Sequence, residues 1–303
     1  MTARIPVPLQ TAFDRWVAVG RPKDAPIVWS EPSWEKSLAC ATPVRELLGG
    51  WPADLKGDPL RRVHVTTFAA GVTTEDRASQ LKAFLAAMIW GYGRVGYGPS
   101  RVARMLTEPR FLDDLAELTR VTLEEGGVAG YQRVRDARHG EQRDRGFLKH
   151  LGPAFGTKYI YFLTKAQPVE GRGVAPVLDS VVRMWFRKNV DDEATNVEIG
   201  ASWGYAERYA TYVETMQAWA EELGIAADDV EQLIFASRQT EVGGGRAEPW
   251  SDASPASAQE LLEHLGAQIA ALGLQGEAET HLEAIADLLA ETTENDADGP
   301  AHH

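Results

Sequence analysis

The sequence predicts an all-α protein, and three observations carry that expectation. Apolar residues recur at helical spacing, most plainly Leu81, Phe84, Leu85, Met88 and Ile89, which fall on one helical face. No stretch alternates apolar and polar residues in the manner of a half-buried strand. Breaks containing glycine or proline separate the periodic stretches, as helix connections do.

Taken in order, residues 1–60 are rich in Trp and Pro with little periodicity, and read as an N-terminal segment with short helices, such as 9–19, wrapped on the core. A helix is expected over 76–90. Gly91-Tyr92-Gly93-Arg94-Val95-Gly96-Tyr97-Gly98-Pro99 is a glycine-rich turn, and Pro99 or Ser100 starts the next helix. Further helices fit 100–107, 109–124, 127–138, 142–151, 157–167, 179–189, 200–223 and 227–238. Trp203, Tyr205, Tyr209, Tyr212 and Trp219 recur at helical spacing and read as core. Gly243-Gly244-Gly245 is a flexible break. Beyond it, 255–272 and 277–292 read as two amphipathic helices, with Leu261, Leu262, Leu265, Ile269 and Leu272 facing Leu282, Ile285, Leu288 and Leu289. The expected organisation is therefore an N-terminal segment (1–60), a helical core (61–242) and an appended acidic helical hairpin with tail (246–303). His302 and His303 resemble a tag remnant.

Composition narrows the class of function. A chain of 303 residues with 44% apolar and 25% charged residues can bury a large core. No apolar run approaches the roughly eighteen residues that span a bilayer, and the N-terminus lacks the apolar run of a secretory signal. A cytoplasmic protein with no membrane partner is expected. The lone Cys40 excludes an internal disulfide and a cysteine-held cluster, and reads as a small core residue. His139 and His150 show no metal-ligand spacing, so neither metal nor cofactor is expected. The net charge of −13 argues superficially against a nucleic-acid partner, but its distribution removes the objection. Eleven acidic residues and no Lys or Arg lie from Ser251 onward, whereas 61–165 hold 17 Lys/Arg against 11 Asp/Glu. A local basic face is what phosphate contacts require. The acidic hairpin reads as a solvated pair, a docking surface for a protein partner, or a lid over that face.

The chemistry concentrates between Leu148 and Val182. Leu151-Gly152-Pro153-Ala154-Phe155-Gly156-Thr157 is a short loop with glycine at both shoulders, and a helix N-terminus behind it presents unpaired N–H groups to a phosphate. Thr157 is expected to cap that helix. Lys158 then falls in its first turn, where the macrodipole and burial both favour a neutral amine. Asp179, following Pro176-Val177-Leu178, stands at the natural N-cap of the next helix. A fixed carboxylate stabilises an oxocarbenium-like transition state and an amine can capture C1′, so the pair suits cleavage of an N-glycosidic bond. Gly-x-Lys at a helix start and an Asp N-cap are also ordinary structural devices.

On these residues the segment 148–186 resembles the helix-hairpin-helix plus Gly/Pro-Asp motif of the DNA glycosylase superfamily, in its 8-oxoguanine DNA glycosylase-like branch. Gly156-Thr157-Lys158 matches the hairpin that ends in the amine, and Pro176-Val177-Leu178-Asp179 the stretch that supplies the acid. Leu178 departs from the pattern, in which the aspartate often follows valine. The resemblance implies a helix-hairpin-helix domain, with the motif at about 142–189, and Lys158 and Asp179 as catalytic residues. It further implies DNA-backbone contacts from Gly152, Gly156 and Thr157. Arg143 and Arg145, in the basic run Arg133, Arg135, Arg138, Arg143 and Arg145, join them as phosphate ligands, although interleaved acidic residues also suit a plain solvated face. A fainter match, Val230-Glu231-Gln232-Leu233-Ile234-Phe235, places the base pocket on Glu231, Gln232 and Phe235. The β-domain of larger members and the cysteine cluster of the endonuclease branch are not matched.

The implied activity is that of a monomeric glycosylase, with β-lyase activity, that flips a damaged or modified base out of double-stranded DNA. The base is 8-oxoguanine, in repair, or a hypermodified base of phage DNA, in antiviral defence. The alternative from another class is a non-catalytic helix-hairpin-helix DNA-binding module. The Trp90–Arg101 loop reads either as a tight helix connection or as the element that fills the gap left by a flipped nucleotide.

Overall fold

A computed structural model describes residues 4–21, 26–39, 41–55, 59–93, 97–140, 144, 146–190 and 203–241. Among them are twelve α-helices and no strand, with one isolated antiparallel bridge between Ile27 and Leu60. The helices are α1 (Val7–Ala18), α2 (Glu31–Leu38), α3 (Thr42–Leu48), α4 (Arg62–Ala70), α5 (Arg77–Tyr92), α6 (Gly98–Thr107), α7 (Phe111–Glu125), α8 (Gly127–His139), α9 (Pro153–Ala166), α10 (Ser180–Asn189), α11 (Ala206–Leu223) and α12 (Ala227–Glu241). None of the described helices is long and apolar enough to cross a membrane. Cys40 and the acidic hairpin of 246–303 lie outside the described residues.

Helix α5 forms the centre. The Asp76 side chain caps it by accepting from the Ala78 N–H at 2.9 Å. Leu81 and every residue from Ala83 to Ile89 are buried, so nearly its whole circumference faces protein, as expected of a helix apolar all round. It packs against α4, α7 and α9, and α9 in turn meets α4, α7 and α8. The first sixty residues feed the same core through Leu9, Trp34, Leu38, Val44 and Leu55, and α1 lies on α12.

The structure departs from the sequence expectation at several places, most plainly at the hairpin. The helix expected over 142–151 is not formed in its described part, where 146–150 is a turn with left-handed Leu148 (φ 48°) and His150 (φ 68°). Its backbone is held by neighbours instead of an i→i−4 ladder. Arg138 donates to the Phe147 and Leu148 carbonyls, and the Asp114 carboxylate accepts from the Leu148 N–H at 2.9 Å. Helix α9 starts at Pro153 rather than at 157, because proline fits the first helical position, where its missing N–H costs nothing. Helix α11 starts at Ala206, not 200. Helix α4 had no counterpart in the reading of spacing; its Val63, Val65, Thr66 and Thr67 disfavour helix weakly, and packing on α5 and α9 overrides that preference. Of the aromatic series read as core, Trp203, Tyr209, Tyr212 and Trp219 are buried, while Tyr205 is exposed.

Candidate active site

The hairpin before α9 is clamped from above. Gly152 is the N-cap of α9 and Pro153 its first residue. The Trp203 indole N–H donates to the Leu151 carbonyl at 2.8 Å, and its ring lies so close that a Cβ on Gly156 would come within 2.2 Å of it. No such neighbour surrounds Gly152, where a Cβ would meet open space. Thr157 is not a cap. It is buried in the interior of α9, and its hydroxyl accepts from the Leu178 N–H at 3.2 Å, tying α9 to the chain that leads to Asp179.

Lys158 is the sixth residue of α9, one turn deeper than expected, so the macrodipole argument for a first-turn lysine does not apply to it. The earlier helix start at Pro153 is the reason. Its stem runs along Gly91 at the end of α5: a Cβ there would lie 2.6 Å from the Lys158 Cδ and 3.1 Å from its Cε. Glycine is the residue that leaves room for this side chain. The ammonium reaches the Ala154 carbonyl at 3.2 Å and Asp179 Oδ2 at 3.2 Å, and stands 5.0 Å from the centre of the Phe155 ring. Phe155 itself stacks on Tyr92 with ring centres 3.8 Å apart.

Asp179 is delivered by an extended, buried segment, 174–178, that makes no strand ladder. Several of its backbone polar groups are paired with side chains from two helices, as burial favours. From α9, Thr164 Oγ1 accepts from the Ala175 N–H and Thr157 Oγ1 from the Leu178 N–H. From α11, the Tyr212 hydroxyl donates to the Val177 carbonyl at 2.6 Å and the Tyr209 hydroxyl to the Pro176 carbonyl at 3.5 Å. Asp179 then caps α10, with Oδ1 accepting from the Val181 and Val182 N–H groups at 3.1 and 3.3 Å. One carboxylate oxygen is thus committed to the helix and the other faces the lysine. The side chains of Lys158 and Asp179 are 8% and 15% exposed, so the pair is nearly enclosed.

The three residues assigned to a base pocket are not alike. Glu231 is fully buried and turned onto Arg62, whose Nη1 lies 2.6 Å from Glu231 Oε2. Burial pushes the Glu231 carboxyl up from its ordinary value; Arg62 opposes that rise. The Arg62 guanidinium is held above its ordinary value, because Glu231 and Tyr161 outweigh its burial. It sits over the rings of Trp90 and Tyr161, at 4.9 and 5.2 Å from their centres. Its Oε2 is turned to the ion pair, while Oε1 is buried with no hydrogen-bond partner. Gln232 and Phe235 are half-buried, and Phe235 lies against the core.

Among the proposed phosphate ligands, Arg143 and Arg145 lie outside the described residues, as does Arg94 of the glycine-rich turn. The neighbouring arginines are engaged within the protein. Arg133 pairs with Glu117 and Arg135 with Asp136, and Arg138 holds the hairpin turn. Among the described residues no group of three or more His, Cys, Asp or Glu is placed to hold a metal ion.

Sequence reasoning did not name Arg62, and read Gly91 only as part of a turn and Tyr212 only as core. Gly91 carried a signal, since a glycine between Trp90 and Tyr92 inside a helical pattern points to a close approach. Arg62 and Tyr212 carried none, because the polar partners that define their roles, Glu231 and Val177, lie more than thirty residues away.

The family described as "Putative 8-oxoguanine DNA glycosylase OGG-like protein" matches residues 20–235, more than two thirds of the chain. No protein of curated description and no solved structure matches it. The chain belongs to this OGG-like family, and its all-helical fold is consistent with the helix-hairpin-helix glycosylase domain.

Proposed function

We propose that this OGG-like protein is a DNA glycosylase with lyase activity, in which Lys158 is the nucleophile and Asp179 the electrostatic partner. The observation that carries the reading is the placement of Lys158 Nζ 3.2 Å from Asp179 Oδ2, one side chain from the hairpin helix and the other from the adjacent helix cap. Both come from one chain, which supports action as a monomer.

In the proposed reaction a base flipped out of duplex DNA leaves C1′ with the electrons of the N-glycosidic bond and is protonated as it departs. Asp179 stabilises the positive charge developing on the sugar. The Lys158 ammonium gives a proton to Asp179 or to water; the resulting amine donates its lone pair to C1′, and the next proton lost from nitrogen passes to the departing base or to water. Ring opening gives a Schiff base; loss of a C2′ proton then expels the 3′ phosphate and nicks the strand, and water returns the amine. The C2′ proton is lost to water, and the sequence of steps calls on no metal or organic cofactor. The helix start at Gly152–Pro153 would meet the phosphate backbone, with Gly156 and Thr157 fixing the hairpin that presents it.

The base is 8-oxoguanine, after the family's description, or a hypermodified base of phage DNA, which would place a cytoplasmic enzyme in repair or in antiviral defence. The deciding experiment incubates the protein with borohydride and a panel of duplexes, including 8-oxoguanine DNA and phage genomes with modified cytosines. A covalent adduct through Lys158 with one member of the panel is expected. Binding without adduct to any of them would replace this reading by that of a non-catalytic helix-hairpin-helix module. For the remainder of the chain, we take 61–242 as the catalytic unit, 1–60 as a segment supporting it and 246–303 as an accessory hairpin. Retained excision after deletion of 246–303 is the expected result.

A further inference from the structure

We propose that Trp29 and Trp51, with Val28 beside them, form the wedge that enters the base stack of duplex DNA where the target nucleotide has been extruded. The inference rests on the reading of the Lys158 site as a base-flipping one, and deepens it by assigning the surface that meets the emptied duplex.

Extrusion leaves a gap between two base pairs, and side chains that enter a base stack are uncharged wedges or flat aromatic rings. The glycine-rich turn after α5 carries aromatics, but they are turned inward. Trp90 packs edge-on with Phe162 at 5.2 Å, Tyr92 stacks on Phe155, and Tyr97 lies edge-on to Tyr92 at 5.7 Å. The N-terminal segment supplies the alternative, at the same end of α5. A Cβ on Gly93 would lie 3.1 Å from Ile27 Cγ2 and 3.6 Å from the Val28 carbonyl oxygen. Gly91, two residues earlier, is the glycine that lies against the Lys158 stem. Ile27 and Leu60 exchange both backbone hydrogen bonds, at 2.7 and 2.9 Å, which fixes the segment in this place.

The surface there is apolar. Val28 is 43% exposed, and Trp29 and Trp51 are half-buried with ring centres 6.2 Å apart. Gly49 and Gly50, both at positive φ (68° and 123°), turn the chain so that Trp51 comes beside Trp29. A Cβ on either would meet nothing within 4 Å, so backbone freedom and not crowding explains these glycines. The Trp51 indole N–H is buried without a hydrogen-bond partner among the described residues, so no polar contact pins that ring. Neither 26–30 nor 49–52 contains an ionisable side chain. Phosphate binding calls for charge, whereas the face of a base calls for an uncharged ring.

The test reads the wedge without chemistry. The full chain is titrated into two labelled duplexes, one intact and one carrying a tetrahydrofuran abasic analogue, which presents a ready-made gap. The unaltered protein is expected to prefer the abasic duplex. Trp29→Ala and Trp51→Ala should each lose about tenfold in affinity for the abasic duplex and keep their affinity for the intact one. The salt dependence of binding should stay the same, because no phosphate contact is removed. Trp29→Phe, which keeps a ring, should retain most of the preference. No preference in the unaltered protein, or equal losses on both duplexes in the Ala variants, overturns the proposal; equal losses are what a purely structural role predicts. Should both Ala variants fail to fold, Val28→Asp carries the test. A carboxylate at this exposed position is kept out of the stack, so the ratio of the two affinities should fall, and an unchanged ratio overturns the proposal. Borohydride trapping on a natural abasic duplex is run alongside. An unaltered protein that never traps removes the nucleophile reading, while the affinity ratio still decides the wedge.

Discussion

Helix α9 carries two lysine–aspartate pairs seven residues apart, a spacing that returns to the same helical face. In the first, Lys158 and Asp179 are 3.2 Å apart with side chains 8% and 15% exposed. In the second, Lys165 and Asp228 are closer, at 2.9 Å, but the lysine is 35% exposed. Asp228 divides itself between Lys165 and the Tyr161 hydroxyl, so it serves as a buried acceptor joining α12 to α9. Asp179 spends one oxygen on the cap of α10 and aims the other at Lys158. The shorter contact is therefore the ordinary one. Enclosure, a fixed stem against Gly91 and a carboxylate held by its own helix distinguish the first pair, and these are the features that orientation-dependent chemistry needs.

Exchange of the two lysines tests this contrast most severely. Lys158→Gln should abolish borohydride trapping while DNA affinity, read by titration of labelled duplex, stays nearly unchanged. Lys165→Gln should trap normally and lose under about 1 kcal/mol in thermal unfolding, its exposed charge being screened by solvent. Equal loss of trapping in both would erase the distinction. The aspartates follow. Asp179→Asn keeps an oxygen for the cap but removes the anion, so turnover should fall by about two to three orders of magnitude, with roughly 0.5–1 kcal/mol of stability lost. Asp228→Asn should do the reverse, lowering the unfolding midpoint and sparing single-turnover excision.

Gly91→Ala sharpens the comparison through the lysine stem alone. The added methyl must displace Lys158 Cδ, and a misplacement on the order of 1 Å costs up to about a hundredfold in rate. Single-turnover excision measures it, and an unaffected rate would show that the stem is not confined. Thr157→Val removes the acceptor for the Leu178 N–H and should cost about 1–3 kcal/mol in denaturant unfolding, as a buried N–H loses its partner.

The smallest effect concerns a third aspartate, away from α9. Asp114 is buried beneath the hairpin turn, and burial raises its carboxyl above the ordinary value despite the Leu148 N–H and Arg110. A carboxyl raised in the folded state favours folding below its unfolded value, and that contribution is lost as pH rises through the folded value. Asp114→Asn retains an acceptor for Leu148 but cannot ionise. Its stability relative to the unaltered protein should therefore grow as pH rises from about 3 to about 7. Thermal unfolding at intervals across that range checks the sign, and a difference independent of pH would refute it.

Much of this was legible in the residues. The glycines and proline at 152, 153 and 156 announced the hairpin, and Asp179 after Pro176 announced a cap, because these depend on neighbours a few positions away. Thr157 was misjudged for the opposite reason: its hydroxyl turns away from its own helix end to Leu178, twenty-one residues on. Glu231 was equally opaque, since its burial against Arg62 joins α4 to α12.

By itself the sequence determined the helical class, the glycine and proline punctuation and the two side chains, Lys158 and Asp179, that lie together. These follow from short-range rules of periodicity, capping and backbone freedom, which the order of residues expresses directly. Only the tertiary structure decided which lysine is enclosed, which glycine makes room for it, how the segment 174–178 is held without a strand partner, and where Glu231 places its charge. Each of those rests on burial and on hydrogen bonds between distant parts of the chain, and burial is a property of the assembled core rather than of any one segment.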